Sequence, residues 1–280
     1  MKGKLYIVST PIGNLEDITL RALRILKEVD LIACEDTRVT KKLLSRYQIH
    51  KPLTSYHEHN EREKAEELLS IVESGKNIAV VSDAGTPGIS DPGYRLVSLA
   101  SEKGIEVISI PGPSAAIAAL SISGLPTSSF IFLGFFPKSD KKRREFLESV
   151  REYRHTLIFY ESSNRIIETL KIMLETLGNR RASISREITK VFEETLRGEI
   201  SNIIQTLKQR EGIKGEFTII LEGKYNKSDI LENIISTTLE LHREKGLSLK
   251  DTVKEVSRNL GVSKSKIYKK ALEVWKKTQN

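Results

Sequence analysis

The chain has a single cysteine, Cys34, among its 280 residues. An intrachain disulfide is therefore excluded, and a reducing compartment, by default the cytoplasm, is expected. Long apolar runs are also missing. No stretch approaches the ~18 apolar residues of a membrane span, and MKGKLYIVSTPIGNLED turns polar too soon to supply the apolar region of a signal peptide. There is no internal repeat at a fixed period and no low-complexity tract. His57 and His59 stand in an H-x-H order, but no third ligand follows at a recognised spacing, so no metal is expected. Cys34 has no neighbour that marks it as a nucleophile, which leaves a small buried side chain as its role.

What the chain does contain is length enough for two cores and an excess of positive charge, +8 at neutral pH. A basic balance favours an anionic partner without identifying it. Its distribution says more: from Lys224 to Asn280 there are 13 Lys and Arg against 7 Asp and Glu. A basic tail module is the simplest account, and KSDKKRRE at 138–145 is a second basic run.

Short β-branched runs alternate with longer helical patterns, the rhythm of an α/β architecture with mostly parallel sheets. Strands are expected at Leu5–Ser9, Leu31–Cys34, Asn77–Val81, Glu106–Ile110, Phe130–Leu133, Thr156–Tyr160, Arg181–Ser185 and Glu216–Leu221. Eight helical patterns lie between them, from Thr19–Glu28 to Ser201–Gln209. That number of strands suits two sheets. PGPSA at 111–115 interrupts the rhythm, and no strand pattern follows GKYNKSD at 223–229. The expected organisation is an α/β domain over 1–110, a second over 111–224, and a helical basic extension over 225–280.

In parallel sheets ligands gather at the carboxyl ends of strands, where loops are free to vary and helix N-termini present partial positive charge. VVSDAGTPGISDPGY, 80–94, has that position, with three glycines, two prolines and two aspartates in one loop. Gly85, Gly88 and Gly93 permit positive φ or close approach, while Pro87 and Pro92 stiffen the chain. Asp83 and Asp91 make the loop a poor phosphate cradle but a suitable partner for hydroxyls or an ammonium. The alternative is a rigid turn whose aspartates cap neighbouring amides. STPIGNLED, 9–17, follows the first strand and is neither G-x-G-x-x-G nor a Walker loop, so nucleotide readings lose their main support. PGPSAAIAAL, 111–120, brings Ser114 forward as either a helix cap or a ligand contact.

ACEDTR, 33–38, ends the second strand with Glu35, Asp36 and Arg38, which fits a base with an orienting cation, or a surface ion pair. FYESSNR and SREITKVFEE similarly deliver Glu161, Arg165, Arg186 and Glu187 to strand ends. In the tail, Leu249, Val253, Val256 and Leu260 precede Gly261, and Val262, Ile267, Ala271 and Val274 follow it. This is the pattern of a helix-turn-helix, with Ser263, Lys264, Lys266, Lys269 and Lys270 at the front of the second helix; a helical bundle with a solvated basic face is the alternative.

Taken in order, TPIGNLEDIT, EDTR, SDAGTPGISDPG, PGPSA, FLGFFP, FYESSNR and REITK closely resemble the ribosomal RNA small-subunit 2′-O-methyltransferase I family, a branch of the tetrapyrrole (class III) methylases. The resemblance spans roughly residues 4 to 223, and the tail is similar to the family's helix-turn-helix extension. It implies two α/β domains with S-adenosylmethionine in the cleft between them, commonly in a homodimer. It also implies a cofactor site lined by Pro11, Asp83, Ala84, Gly85, Ser114 and Ala115, closed by Leu133 and by the GEFT segment with Gly215, Phe217 and Thr218. In the family the second-domain motif reads ESP followed by His and Arg; here Ser163 and Asn164 occupy two of those places, leaving Glu161 and Arg165.

The implied reaction is methyl transfer to the ribose 2′-oxygen of a cytidine in the decoding region of small-subunit ribosomal RNA, without a metal. Asp36 with Arg38 is the first expectation for the acid–base and orienting group, with Glu161 and Glu187 as competitors. Ribosomal RNA, free or in the assembled small subunit, is the expected partner. Lys138, Lys141, Lys142, Arg143 and Arg144 are expected to meet its phosphates together with Lys264, Lys266, Lys269 and Lys270. The rival expectations are a methylase of small corrinoid or porphyrin precursors, which leaves the basic tail without a purpose, and a non-catalytic nucleic-acid-binding sensor.

Overall fold

The protein is described here from a computed structural model that covers residues 2–224 and 227–276. Its first sheet takes β1 (Leu5–Val8), β2 (Leu31–Cys34), β3 (Leu53–Ser55), β4 (Ile78–Val81) and β5 (Val107–Ile110), all parallel, in the order β3-β2-β4-β1-β5. The crossovers carry α1 (Leu20–Glu28), α2 (Thr37–Arg46), α3 (Glu61–Glu73) and α4 (Tyr94–Glu102). Successive side chains of a strand face opposite ways, so a strand covered on both faces must be apolar throughout. In β4, Ala79 and Val81 join Ile25, Leu26 and Leu44 on one face, while Ile78 and Val80 join Leu68, Leu69 and Leu96 on the other. The unbroken IAVV run is the sequence signature of that central position.

α5 (Ala115–Ser121) leaves the first sheet and packs Ala116, Ala119 and Leu120 with Ile158 and Ile220 of the second. The second sheet has β6 (Phe130–Phe135), β7 (Thr156–Ser162), β8 (Arg181–Arg186), β9 (Glu194–Glu199) and β10 (Glu216–Leu221), in the order β6-β7-β10-β8-β9. Its other face is covered by α6 (Asp140–Ser149), α7 (Ile166–Leu177) and α8 (Ile200–Lys208), through a core that includes Leu147, Leu170, Met173 and Ile203.

Here the structure corrects the expectation of mostly parallel sheets: only β6 and β7 pair in parallel, and the other three pairs are antiparallel. The cause is β9. Its ETLRGE sequence has no apolar run because it is an edge strand, so β8, α8 and β10 read as one crossover. With β9 inserted as the return strand of a hairpin, the direction reverses. β3 escaped notice for the same reason, being three partly exposed residues at the opposite kind of edge.

By its internal contacts the chain divides into Met1–Gly223 and Lys224–Asn280. The second unit has three helices among its described residues, α9 (Lys227–Glu244), α10 (Leu249–Leu260) and α11 (Lys264–Lys276). Leu239, Val253, Val256, Ile267 and Ala271 form its core. Gly261 ends α10 in the left-handed conformation, φ 63°, the geometry that favours glycine at this position. The expected positions 225–226 and 277–280 of the extension lie outside the described residues.

One glycine governs the long loop after β4. Gly93 has φ 147°, and a β-carbon there would lie 2.9 Å from the Gly88 nitrogen, across the turn that the Gly88 N–H closes onto the Pro92 carbonyl at 3.1 Å. Replacing Gly93 with Ala combines a clash with an unfavourable φ and should cost about 1–3 kcal/mol. A lower urea midpoint at unchanged m-value is the expected result.

Candidate active site

The loops following β1, β4 and β5 come from three adjacent strands, and they are fastened to one another. The Thr10 N–H donates to the Gly85 carbonyl at 2.8 Å and the Gly85 N–H returns the bond to Thr10 at 3.1 Å. The Thr10 hydroxyl donates to the Ser82 carbonyl at 3.0 Å, and the Ser9 and Thr86 hydroxyls are 2.8 Å apart. Gly112 approaches Ser9 so closely that a β-carbon would come within 2.9 Å of its Cβ. These bonds build one wall of a cavity of about 340 Å³. The facing wall belongs to the second sheet: Phe135, Tyr160, Phe217 and Thr218 from its strands, and Glu187, Ile188 and Lys190 from the β8–β9 connection.

Of the expected cofactor residues, Asp83, Ala84, Gly85, Ser114, Ala115, Phe217 and Thr218 line this cavity. Pro11, Leu133 and Gly215 are not among its lining residues. Pro11 is buried and Ile12 takes the lining position. Leu133 packs against the core behind the second sheet, and Phe135 lines the cavity instead. Gly215 acts from behind: with φ 99°, a β-carbon there would lie 2.5 Å from Glu187 Cγ, so its bareness makes room for that side chain. Ser114 holds the N-cap position of α5 without a capping hydrogen bond from its side chain.

The carboxylates expected to be catalytic separate sharply. Asp36 and Arg38 do not line the cavity. Asp36 caps α2 by accepting the Arg38 N–H at 2.8 Å, and its other oxygen lies 2.6 Å from the Arg38 guanidinium. Hydrogen bonds from Arg38 hold its carboxyl down to about 2, too low for a good proton acceptor near neutrality. The EDTR motif is a helix start whose backbone matters to the site: the Asp36 N–H donates to Asp83 Oδ1 at 3.1 Å.

Glu161 borders the cavity, but its carboxylate is fully occupied. Oε1 lies 2.6 Å from Arg165 Nη2 and accepts the Ser162 N–H at 2.7 Å, while Oε2 accepts the Thr169 hydroxyl at 2.7 Å. Arg165 also donates to the Phe136 and Pro137 carbonyls. The pair therefore ties β7 and α7 to the end of β6. Glu187 does line the cavity, with φ 51°. Its Oε1 accepts from Lys190 Nζ at 2.9 Å and from the Glu216 N–H at 3.0 Å. Burial raises its proton affinity, but these two donors outweigh burial and leave the carboxyl below its usual range.

Two of the groups that complete the site, Glu35 and Asp91, stood among the residues the sequence brought forward, whereas the third, Tyr160, did not. Glu35, Asp91 and Tyr160 all line the cavity. Burial raises the Glu35 and Asp83 carboxyls, each with a further push from a neighbouring carboxylate. Asp91 goes further, to about 6, driven first by burial and then by Glu35 and Asp83, against a hydrogen bond from Ser82. The Tyr160 hydroxyl accepts the Ala116 N–H at 3.2 Å. The signal for Asp91 was its loop, which carries it beside Pro92 in a glycine- and proline-rich stretch after a strand. Nothing local marks Tyr160.

Elsewhere, Arg143 is only 2% exposed, with Nη2 donating to the Lys138 carbonyl at 3.3 Å and Nη1 3.3 Å from Asp140. The structure thus removes it from the expected phosphate contacts: on α6 it lies on the buried face with Leu147. Arg144 pairs with Glu175 at 2.7 Å and Lys270 with Glu273 at 3.0 Å. Lys138, Lys141, Lys142, Lys264, Lys266 and Lys269 are exposed.

Residues 4–204 match the model of the tetrapyrrole (corrin/porphyrin) methylases. A protein of Halalkalibacterium halodurans named ribosomal RNA small subunit methyltransferase I is 49% identical over 95% of this chain and 94% of its own length. A protein of Thermotoga maritima with the same name is also 49% identical, over 99% of its own length but 79% of this chain. That relative lacks a counterpart to about a fifth of the chain, an amount matching the Lys224–Asn280 unit. Among solved structures, uroporphyrin-III C-methyl transferase from Thermus thermophilus complexed with S-adenyl homocysteine superposes with a TM-score of 0.55 at 19% identity, covering 78% of this chain and 97% of that one.

Two outcomes test this account of the carboxylates. Glu161→Ala strands Arg165 and should cost about 3–5 kcal/mol in chemical denaturation, as expected when one partner of a buried ion pair is lost. For Asp91 the folded-state affinity lies above the unfolded value near 3.8, so its ionisation works against folding. The penalty grows as pH rises from about 4 to 6 and is complete above that. Asp91→Asn should therefore melt higher than the parent at pH 8, with the difference vanishing below pH 4.

Proposed function

Because the chain belongs to the ribosomal RNA small subunit methyltransferase I family of the tetrapyrrole methylases, we propose that it methylates small-subunit ribosomal RNA from S-adenosylmethionine, at the ribose 2′-oxygen of a cytidine in the decoding region. The observation that carries this reading is the near-full-length identity to relatives of that name, joined to a cavity at the carboxyl ends of the first sheet.

The residues present fit the methyl donor. The cavity volume of about 340 Å³ lies within the ~300–1,000 Å³ of small-molecule sites. Gly85, with φ 86°, leaves the meeting point of three loops bare: a β-carbon there would touch Ile12 and the Pro113 carbonyl. Asp83 and Glu35 supply negative charge suited to an ammonium or a sulfonium, and Ser114, Ala115, Phe217 and Thr218 would hold the remainder. Bound there, S-adenosylmethionine supplies an electrophilic methyl group on a cationic sulfur.

The protein's own contribution is geometric and electrostatic. A ribose hydroxyl is a weak acid and a weak nucleophile, so it must be held in line with the methyl group and relieved of its proton. Positioning of this kind supplies several kcal/mol. The bonded loop wall provides rigidity, and the Glu187–Lys190–Glu216 tie fixes the facing wall. The RNA phosphates are assigned to Lys138, Lys141, Lys142, Lys264, Lys266 and Lys269, with a homodimer in the cytoplasm as the working form.

The decisive experiment transfers a radiolabelled methyl group to small ribosomal subunits lacking the modification, followed by digestion and mapping of the product. Labelled 2′-O-methylcytidine is expected; cofactor binding with no transfer to RNA would favour a small-molecule methylase or a sensor. Replacing Lys264, Lys266 and Lys269 together with alanine should reduce the slope of log affinity against log salt by about 2–3 units, with little effect on cofactor affinity.

A further inference from the structure

The cavity contains several carboxylates, and a methyl transfer to a hydroxyl needs one that is free to take a proton. Glu161 accepts from Arg165, Ser162 and Thr169. Glu187 and Glu216 are both held by Lys190. Asp83 accepts the Asp36 N–H; among the described residues neither Glu35 nor Asp91 is paired with a cation, and of the two it is Asp91 whose loop reaches the second sheet. Asp91 therefore carries its charge in the cavity with no cation to hold it.

Its location is as telling as its chemistry. The residue before it, Ser90, is a non-glycine at φ 63°, and such strain is kept where the surrounding structure imposes it. Ser90 rests on the second sheet: a β-carbon at Gly134 would lie 3.3 Å from its Oγ, at the irregularity between Phe132 and Phe135 in β6. Pro92 stiffens the chain on the other side. The loop of the first sheet therefore reaches across the cleft at this point and sets Asp91 where its charge bears on Tyr160 of β7. Tyr160 is packed by Phe132 and Phe135, with ring centroids 5.0 and 5.3 Å away. Its hydroxyl accepts from Ala116 and so keeps its own proton to donate.

We infer that Asp91 is the general base of the methyl transfer, accepting the proton of the acceptor hydroxyl in the cleft beside Tyr160. The inference rests on the methyltransferase reading above. In the step, the ribose O–H bond breaks with its proton going to Asp91, and the oxygen forms the new O–CH₃ bond. The S–CH₃ bond breaks with its electron pair remaining on sulfur, which becomes a neutral thioether, and Asp91 later yields the proton to water.

The titratable groups facing Asp91 are Glu35 at the end of β2, Asp83 after β4, and Tyr160 on β7, whose own proton affinity Asp91 raises. Burial first, and then the two carboxylates, raise it to about 6 while Ser82 opposes them, which leaves it ionised at neutral pH yet basic enough to act. Wild-type kcat/KM should therefore fall tenfold per pH unit below about 6.

The test compares wild type and Asp91→Asn on small ribosomal subunits, with S-adenosylhomocysteine affinity by calorimetry and carboxyl titration by carbon-13 NMR of aspartate-labelled protein. The expected result is a loss of at least ~100-fold in kcat, S-adenosylhomocysteine affinity kept within about threefold, and disappearance of both the acid limb and one carboxyl titrating near 6. Retained calorimetric binding also shows that the variant folds, and Asp91→Glu should recover part of the rate. Turnover within threefold of wild type, or an unchanged acid limb, would overturn the assignment. So would a loss confined to S-adenosylhomocysteine affinity, which would make Asp91 a cofactor ligand. If wild type binds S-adenosylhomocysteine but methylates no RNA, the functional reading itself falls and the base assignment goes with it.

Discussion

The paired hydrogen bonds between Thr10 and Gly85 are the constraint on which the rest of the site depends. Loops at strand ends have no ladder to hold them, and their buried amides must find partners or incur the cost of desolvation. Here the loops after β1 and β4 satisfy each other, with Thr10 only 2% exposed. The neighbouring Ser9–Thr86 contact and the bareness of Gly112 bring in the loop after β5. Three segments distant in sequence thereby behave as one surface. A rigid wall of that kind is what lets a cavity keep its shape without a ligand.

The opposite wall solves a different problem. An antiparallel edge hairpin supplies the β8–β9 connection, and its non-glycine residues Glu187 and Thr189 have positive φ. Lys190 holds that conformation by bonding Glu187 and Glu216 together, and Gly215 gives Glu187 room. The carboxylates of the site fall into two groups as a result. Glu161 and Glu187 are neutralised by cations and serve the architecture, whereas Glu35, Asp83 and Asp91 crowd together with raised proton affinities. Like charges crowded in a cleft lower stability, and such strain is commonly retained where it serves chemistry.

Much of the fold was legible because burial writes itself into composition. Strands covered on both faces, such as IAVV and LIAC, are continuous apolar runs, and the strand–helix alternation follows from them. Edge strands carry no such mark: β3 is short and β9 is polar, and missing β9 hid the antiparallel character of the second sheet. In the site, glycine and proline spacing pointed to the loops at 82–93 and 111–114, since backbone demands are local. Charge roles were not local. EDTR looked like a base with its cation, but Asp36 was consumed by a helix cap. Arg143 looked like part of a basic run, but the 3.6-residue period of α6 turned it inward.

The sequence by itself determined the α/β rhythm, the stiff loops at the carboxyl ends of the strands, the helical tail and the family likeness. Each of these depends on residues close together in the chain or on an ordered set of short motifs. Only the tertiary structure decided which carboxylate is capped, which is paired and which stands free. A carboxylate's proton affinity depends on the dielectric and charges around it, and for Asp91 those are its burial and the neighbouring Glu35 and Asp83, set beside Tyr160 of the second sheet only when the two sheets close on one cleft.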